Sequence, residues 1–265
     1  MSNINIIIEN GVVTRFMESK FNLTVEENIF IAKRNIVDYI WKSAKLEGLG
    51  VTFPETDAIY NGISVPNVKV EEIIAVNNLK HSWQFLFDTI DCDTDYAYIC
   101  RLNKIVGGDN LIYGSGFIRN IPVSIGGTSW KPDIPFEPDI KENLKTINEI
   151  KSPTERAITI MLYCMRSQMF VDGNKRTSML AANHEMIKNG CGIISIPIEH
   201  QLEFTKLLIQ FYETNQMETL KQFVYDNCID GLDLRTQERA VRQAVERENS
   251  PEHAKRKSRP SALER

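Results

Sequence analysis

The sequence has no apolar run approaching the roughly 20 residues that a membrane helix needs. Its first residues, Met-Ser-Asn-Ile-Asn, have neither the basic start nor the small-residue cleavage site of a signal peptide. Cysteine is sparse. Cys92, Cys100, Cys164, Cys191 and Cys228 are odd in number, scattered, and never spaced Cys-x-x-Cys. That pattern excludes a disulfide framework and a thiolate zinc site, and it fits a reducing cytoplasm. Strong charge of one sign is also missing, since the net charge is −4. The small figure hides an asymmetry. Residues 235–265 hold nine Lys and Arg against five Asp and Glu, while residues 1–234 hold 22 against 30. An acidic body argues against a nucleic-acid-binding core, and the basic end reads as a short solvated tail. What is present is ordinary globular material, 42% hydrophobic and 25% charged over 265 residues. That is enough for one large domain or a domain with appendages.

Hydrophobic spacing predicts a mainly α-helical chain. Isoleucines and valines around Glu9-Asn10-Gly11 predict a small hairpin over residues 2–17, because Asn-Gly between apolar runs favours a tight turn. Thr24, with Glu27 three residues later, forms a capping box and opens a helix that runs to about Gly48. Further helices are predicted over residues 70–89, 96–106, 137–150, 153–165, 175–188, 199–213 and 217–226. The helix at 153–165 is apolar nearly all round, as a central buried helix is. Residues 193–198 read as a short extended piece. Asp91-Cys92-Asp93-Thr94-Asp95 imitates a calcium loop but has Tyr96 and Leu102 where glycine and glutamate are needed, so it reads as an acidic helix start. Residues 113–135, with four glycines and Pro122, Pro132 and Pro135, predict a loop carrying a short hairpin. Residues 234–247 read as a charged, solvent-exposed helix and residues 250–265 as a disordered tail.

One polar stretch lies between the two central helices: Gln168-Met169-Phe170-Val171-Asp172-Gly173-Asn174-Lys175-Arg176. Asp-Gly-Asn alone spells a tight turn. Lys175 and Arg176 fall in the first turn of the outgoing helix, where free N–H groups and the positive dipole end already sit. Together they make an anion site, most naturally for phosphate. A carboxylate beside bound phosphate, here Asp172, suits Mg²⁺, which takes one or two carboxylates plus phosphate oxygens.

Read whole, this stretch resembles the core motif of the Fic/Doc family, His-x-Phe-x-Asp/Glu-Gly-Asn-Gly/Lys-Arg, with Gln168 at the position of the catalytic histidine. A second stretch, Ser43-Ala-Lys-Leu-Glu47-Gly48, puts Ser43 and Glu47 on one helical face and is similar to the family's inhibitory-helix motif, Ser/Thr-x-x-x-Glu-Gly/Asn. A third, Arg119-x-x-x-Val123-x-Ile125-Gly126-Gly127-Thr128, looks like the family's flap.

The resemblance covers about residues 24–225 and implies a Fic-like helical bundle with a small β-hairpin flap. The implied segments are an N-terminal hairpin or extension (1–23), an inhibitory-helix region (24–62), a Fic-like core (63–228), and a charged helix with tail (229–265). The implied activity is AMP transfer from ATP to a Ser, Thr or Tyr hydroxyl of a target protein. Asp172 would hold Mg²⁺. Gly173, Asn174 and Lys175 would form the anion hole, and Arg176 would contact the phosphates. Phe170 would anchor the loop, and Ser43, Glu47 and Gly48 would belong to the inhibitory helix. Ile125, Gly126, Gly127 and Thr128 would hold an extended target segment by strand addition.

Three positions depart from the family pattern: Gln168, Met169 in place of a frequent proline, and Met179. Gln168 can orient a hydroxyl but has no proton equilibrium near neutral pH, and losing a general base costs about 10²–10⁴ in rate. Met179 stands where many members carry a second arginine, the usual partner of the inhibitory glutamate, which leaves Arg176 or nothing for Glu47. Lys175 in place of glycine resembles the Doc branch, some of which transfers phosphate. None of His81, His184, His200 and His253 reads as a substitute base. The sequence leaves three readings: an impaired adenylyltransferase, a non-catalytic nucleotide-binding or interaction module, and a Doc-like phosphotransferase. The partners implied are ATP and the target protein, with homo-oligomerisation left open.

Overall fold

Helix starts in this chain are marked by side chains that accept a backbone N–H. The computed structural model describes residues 17–232 together with two N-terminal strands, β1 (Ile6–Glu9) and β2 (Val12–Arg15). Ten α-helices occur among the described residues. They are α1 (Val25–Arg34), α2 (Ile36–Leu46), α3 (Phe53–Tyr60), α4 (Val70–Asp88), α5 (Tyr96–Val106), α6 (Glu137–Asn148), α7 (Pro153–Ser167), α8 (Asn174–Lys188), α9 (Gln201–Thr214) and α10 (Glu218–Asn227). Thr24 and Thr52 close capping boxes with Glu27 and Glu55 at the starts of α1 and α3. Asp95 accepts the Tyr98 N–H at 2.8 Å, so the calcium-loop lookalike is the cap of α5. Ser152 caps α7, and its hydroxyl donates to the Met17 carbonyl.

α7 and α8 form the central helix pair. Ala157, Ile158, Ile160, Met161 and Leu162 of α7 are fully buried, as the all-round apolar pattern predicts. One apolar cluster packs on α1–α5, with Ile40, Leu79, Leu102 and Phe170 among its members. A second packs on α9 and α10 through Phe204, Phe211, Leu220 and Val224. β1 pairs with β2 in antiparallel register, Glu9 opposite Val12, as Asn-Gly predicts. A second small antiparallel sheet pairs β3 (Ile193–Ile194) with β4 (Ile229–Asp230), a partner the spacing did not suggest. No helix among the described residues is long and apolar enough to cross a membrane. The charged helix and tail predicted beyond residue 233 lie outside the described residues.

Two expectations are corrected. The helix predicted from Thr24 to Gly48 is two helices meeting at Asn35, which ends α1 and begins α2 with φ −108° and ψ 14°. The break lets Ile31 and Ala32 on one side, and Ile36, Tyr39 and Ile40 on the other, all reach the core. The flap segment, residues 113–135, forms no strand ladder. Its prolines lack donors. Its two arms are joined instead by the Arg119 guanidinium, which donates to the carbonyls of Ile121 (2.8 Å), Asp133 (2.5 Å) and Pro132 (3.5 Å).

Candidate functional site

The loop between α7 and α8 is built from its own backbone and a few buried amides. α7 ends at Gln168 in the left-handed region, φ 44° and ψ 53°. For a residue with a side chain this conformation costs about 1–2 kcal/mol. Three contacts hold it. The Gln168 Nε2 donates to the Met165 carbonyl (2.6 Å), its Oε1 accepts from Asn174 Nδ2 (3.2 Å), and its carbonyl accepts from Arg119 Nε (2.6 Å). Both ends of the Gln168 amide are therefore occupied. Phe170 is 1% exposed and plugs the loop into the core. Asn174 bridges the loop, accepting the Phe170 N–H (3.0 Å) and donating to the Phe170 carbonyl (2.8 Å).

Gly173 begins α8 at φ +76°, and a Cβ there would lie 3.0–3.2 Å from Ile112, Val106 and Asn103. Asn103 of α5, fully buried, donates to the Asp172 carbonyl (3.1 Å) and accepts the Gly116 N–H (2.8 Å). Among the described residues no hydrogen bond reaches the N–H of Asn174, Lys175 or Arg176. The Asp172 side chain is 64% exposed. Its Oδ1 accepts the Gly173 N–H at 2.6 Å, and its Oδ2 lies 3.5 Å from the Arg176 guanidinium. Asp172 therefore lies against the Gly173 amide and the Arg176 guanidinium.

α2 brings a carboxylate to this end of α8. Gly48, in the left-handed region, and Leu49 close α2 by donating to the Lys45 (2.9 Å) and Ala44 (3.1 Å) carbonyls, the Schellman pattern. Glu47 sits at that cap. Its Oε2 lies 3.3 Å from Lys175 Nζ and its Oε1 3.8 Å from Arg176 Nε. Neither Glu47 Oε1 nor Arg176 Nε has a hydrogen-bond partner, although both atoms are buried. Ser43 is buried one turn earlier, and its carbonyl accepts the Glu47 N–H (3.3 Å).

These groups open onto a cleft of about 290 Å³ lined by Glu47, Ile125, Gly126, Gln168, Asp172, Asn174 and Lys175, and by Thr205, Ile209 and Tyr212 of α9. Ser43, Gly48, Gly127, Thr128, Gly173 and Arg176 stand outside its lining. The flap tip rests on α9. Gly127 faces Ile209, and Thr128 Oγ1 donates to Glu213 Oε1 (2.6 Å). Trp130 stacks on Tyr212, with the Arg166 guanidinium 4.7 Å from the Trp130 ring centre. Burial, and next the Glu47 charge, push the Tyr212 phenol up, against a hydrogen bond with Gln168.

A larger cleft of about 890 Å³ lies between α5, α6, α7 and α8, lined by Thr94, Lys145, Arg156 and Glu185 among others, and contains none of the motif. Two ion pairs lie within its lining, Arg156 Nε with Glu185 Oε1 at 2.8 Å and Lys188 with Asp93 at 3.3 Å. Sequence reasoning missed the roles of Asn103, Arg119 and Tyr212. Asn103 carried one signal, a polar residue beside the apolar stripe of Ile99, Leu102 and Val106.

Phosphate and Mg²⁺ fit this arrangement on three counts. Arg176 is buried with an orphaned Nε, the first N–H groups of α8 carry no hydrogen bond, and an exposed carboxylate stands beside Arg176. Among the described residues no three His, Cys, Asp or Glu side chains converge, so a metal at Asp172 would draw its other oxygens from phosphate and water.

Comparison with known proteins follows the same line. Residues 93–186 match the model of the Fic/DOC family. The chain is 25% identical over 180 residues to protein adenylyltransferase fic-1 of Caenorhabditis elegans, a match covering 63% of this chain. It spans about a third of that relative's length (34%). A solved fragment, Fic-1 (aa134–508) from C. elegans, superposes with a TM-score of 0.64 at 22% identity, covering 75% of this chain and 62% of the fragment. A Fic domain containing signaling protein from Bacteroides thetaiotaomicron gives 0.59 at 18% identity, with coverages of 76% and 84%. A Fic family protein from Desulfovibrio desulfuricans gives 0.61 at 16%, with coverages of 83% and 67%.

Proposed function

From the premise that this chain is a Fic-domain protein, we propose that it binds ATP with Mg²⁺ in the cleft at the start of α8. We propose further that its reaction is transfer of AMP to a Ser, Thr or Tyr hydroxyl of a target protein, slowed by Gln168. The observation that carries the reading is the meeting of Asn174 and Lys175 of the first turn of α8, whose N–H groups carry no hydrogen bond, with exposed Asp172 on one cleft beneath the flap, Arg176 lying behind it against Asp172 and Glu47. In this reading the amides of Asn174 and Lys175 hold phosphate oxygens, Arg176 neutralises them, and Asp172 holds the metal, with Gly173 allowing close approach. Bound Mg²⁺ would supply charge neutralisation on the phosphates. In this reading the flap around Ile125 to Thr128, a turn at Gly126-Gly127 in the unliganded chain, would pair its backbone with an extended target segment. Ser43, Glu47 and Gly48 form an inhibitory end of α2, whose Glu47 occupies the cations an anionic ligand needs.

A specific observation also favours the second reading, a nucleotide-binding module without turnover. The Gln168 amide is committed to Met165 and Asn174, and no histidine is among the residues lining the cleft. One experiment separates the readings. The chain, Gln168→His, and Gln168→His with Glu47→Gly are incubated with ATP labelled at the α- or γ-phosphate, Mg²⁺ and a cell lysate. AMP transfer predicts little label with the unaltered chain, more with Gln168→His and most with the double variant, all from the α-phosphate. No label in any variant leaves the binding module, and label from the γ-phosphate alone points to phosphate transfer.

A further inference from the structure

Among the described residues Tyr212 is the one aromatic side chain lining the motif cleft, and it is 3% exposed. It comes from α9, and the flap is fastened to it. Its ring stacks on Trp130 of the flap, with ring centres 5.6 Å apart and planes 19° from parallel. Its own carbonyl accepts from the Arg166 guanidinium (3.1 Å), which also lies over the Trp130 ring. The next residue of α9, Glu213, accepts from Thr128 of the flap. The phenol end of Tyr212 meets Gln168. A buried ring that is stacked on a neighbour and tied at its own backbone is a fixed wall of the cleft.

The wall stands where an acceptor must come. Ile125 and Gly126 of the flap line the same cleft as Gln168 and Tyr212, and at about 290 Å³ that cleft is at the small end for a ligand site. A target segment paired with the flap would run about 4.8 Å from it and send a hydroxyl side chain toward residue 168. Serine and threonine carry that oxygen directly on Cβ. Tyrosine carries it beyond a six-membered ring, and beside Gln168 the place such a ring needs is filled by the ring of Tyr212.

We infer that Tyr212 selects the acceptor: it leaves room beside residue 168 for the aliphatic hydroxyl of serine or threonine and shuts out the phenol of tyrosine. The inference rests on the AMP-transfer reading above and narrows its substrate class. Tyr212 acts here by shape, so its ring counts and its hydroxyl does not.

The test takes Gln168→His with Glu47→Gly as background, with Mg²⁺, ATP labelled at the α-phosphate and a cell lysate. In the reaction the acceptor oxygen bonds the α-phosphorus, pyrophosphate leaves, and the introduced imidazole takes the hydroxyl proton. The labelled lysate protein is identified, its acceptor is mapped by mass spectrometry, and the protein is remade with serine and with tyrosine at that position. The background is expected to label the serine form about tenfold faster or more, the discrimination that a closely fitting pocket gives. Adding Tyr212→Phe is expected to keep that ratio. Adding Tyr212→Ala, or the milder Tyr212→Leu, is expected to bring the ratio near one, with continued labelling of the serine form showing that the variant is folded. Tyrosine as the mapped acceptor in the background, or a preference that both truncations leave unchanged, overturns the inference alone. Loss of serine labelling in both truncations assigns Tyr212 to holding the flap and overturns it too. No label with any variant removes the AMP-transfer reading and this inference with it.

Discussion

Replacing Arg119 tests how the flap is held. The side chain is 3% exposed and donates to the carbonyls of Gln168, Ile121, Pro132 and Asp133, while its own N–H donates to the Met169 carbonyl (2.9 Å). Arg119→Met keeps the stem and the backbone bond and removes every side-chain donor. Hydrogen bonds to charged groups are worth about 1.5–3 kcal/mol each. The sum overstates the loss, because flap carbonyls released from the guanidinium can turn toward water. The Gln168 carbonyl cannot turn as freely, since Gln168 is already in the left-handed region. A loss of about 3 kcal/mol is the expected balance, at the low end for breaking a buried charged network. For a chain this size that lowers the thermal midpoint by about 6–12 °C. Arg119→Lys keeps the charge but not the fork, and is expected to fall between the two. Limited proteolysis gives the local readout: Arg119→Met should open new cleavage sites within residues 120–135 while the helical core stays intact. A midpoint within about 1 °C of the parent, with an unchanged digestion pattern, would refute the account of Arg119 as the tie between the flap arms and the motif.

Gly173→Ala is expected to cost about 2 kcal/mol or more, because the backbone is left-handed there and the new Cβ meets Ile112, Val106 and Asn103 at 3.0–3.2 Å. Its thermal midpoint should drop by about 4–8 °C, and a wild-type midpoint would show that the loop adapts. Asn174→Asp should also destabilise, since the new oxygen would face the Phe170 and Gln168 oxygens that Nδ2 now satisfies; urea unfolding checks this. His184 supplies a pH test. It is fully buried, bonded to Thr94 (2.7 Å) and to the Thr89 carbonyl (3.1 Å), with Tyr98, Glu185, Lys188 and Asp93 around it. Burial holds its pKa below the ordinary 6.5, partly offset by the Thr89 bond. The unfolded chain therefore takes up the proton first, so the His184 contribution is present above pH 6.5 and lost as pH falls below it. His184→Gln should flatten the fall of the thermal midpoint between pH 7 and 5, and an unchanged slope would rule this contribution out.

Local rules carried most of the helices. Thr24, Thr52, Asp95 and Ser152 act at short range, so their caps can be read from neighbouring residues. Periodicity found α4 to α10 because each buries one stripe or, for α7, its whole surface. Asn35 was not legible, because Asn in a helical pattern is tolerated and only the shared core forces the break there. The flap was misread for a related reason. Glycines and β-favouring residues suggested a ladder, but Pro122 and Pro132 remove donors and Arg119 takes the carbonyls from a position no local rule examines. At the site, the turn, the cations and the carboxylate were readable as chemistry. Their partners were not: Asn103 reaches Asp172 across 69 positions and Tyr212 reaches the cleft from α9. The pairing of Glu47 with Lys175 likewise depended on how α2 ends against α8.

That arrangement limits how Glu47 can be removed. α2 is not a detachable arm. Asn28 of the preceding helix exchanges two hydrogen bonds with Gly192 (2.8 and 3.2 Å), Tyr39 donates to Asp230 (2.7 Å), and Gln201 donates to the Lys42 carbonyl (2.8 Å). Ile36, Tyr39, Ile40 and Ala44 are all buried in the main core. Exposing the larger three would cost about 1.5–3 kcal/mol each in apolar burial alone. Adding the lost polar contacts brings lifting the helix near the whole stability of an ordinary domain, about 5–15 kcal/mol. Turning the Glu47 carboxylate away from Lys175 and Arg176 breaks two ion pairs and leaves the apolar burial of α2 in place. The rigid helix therefore sets where Glu47 starts, and the side chain alone can yield.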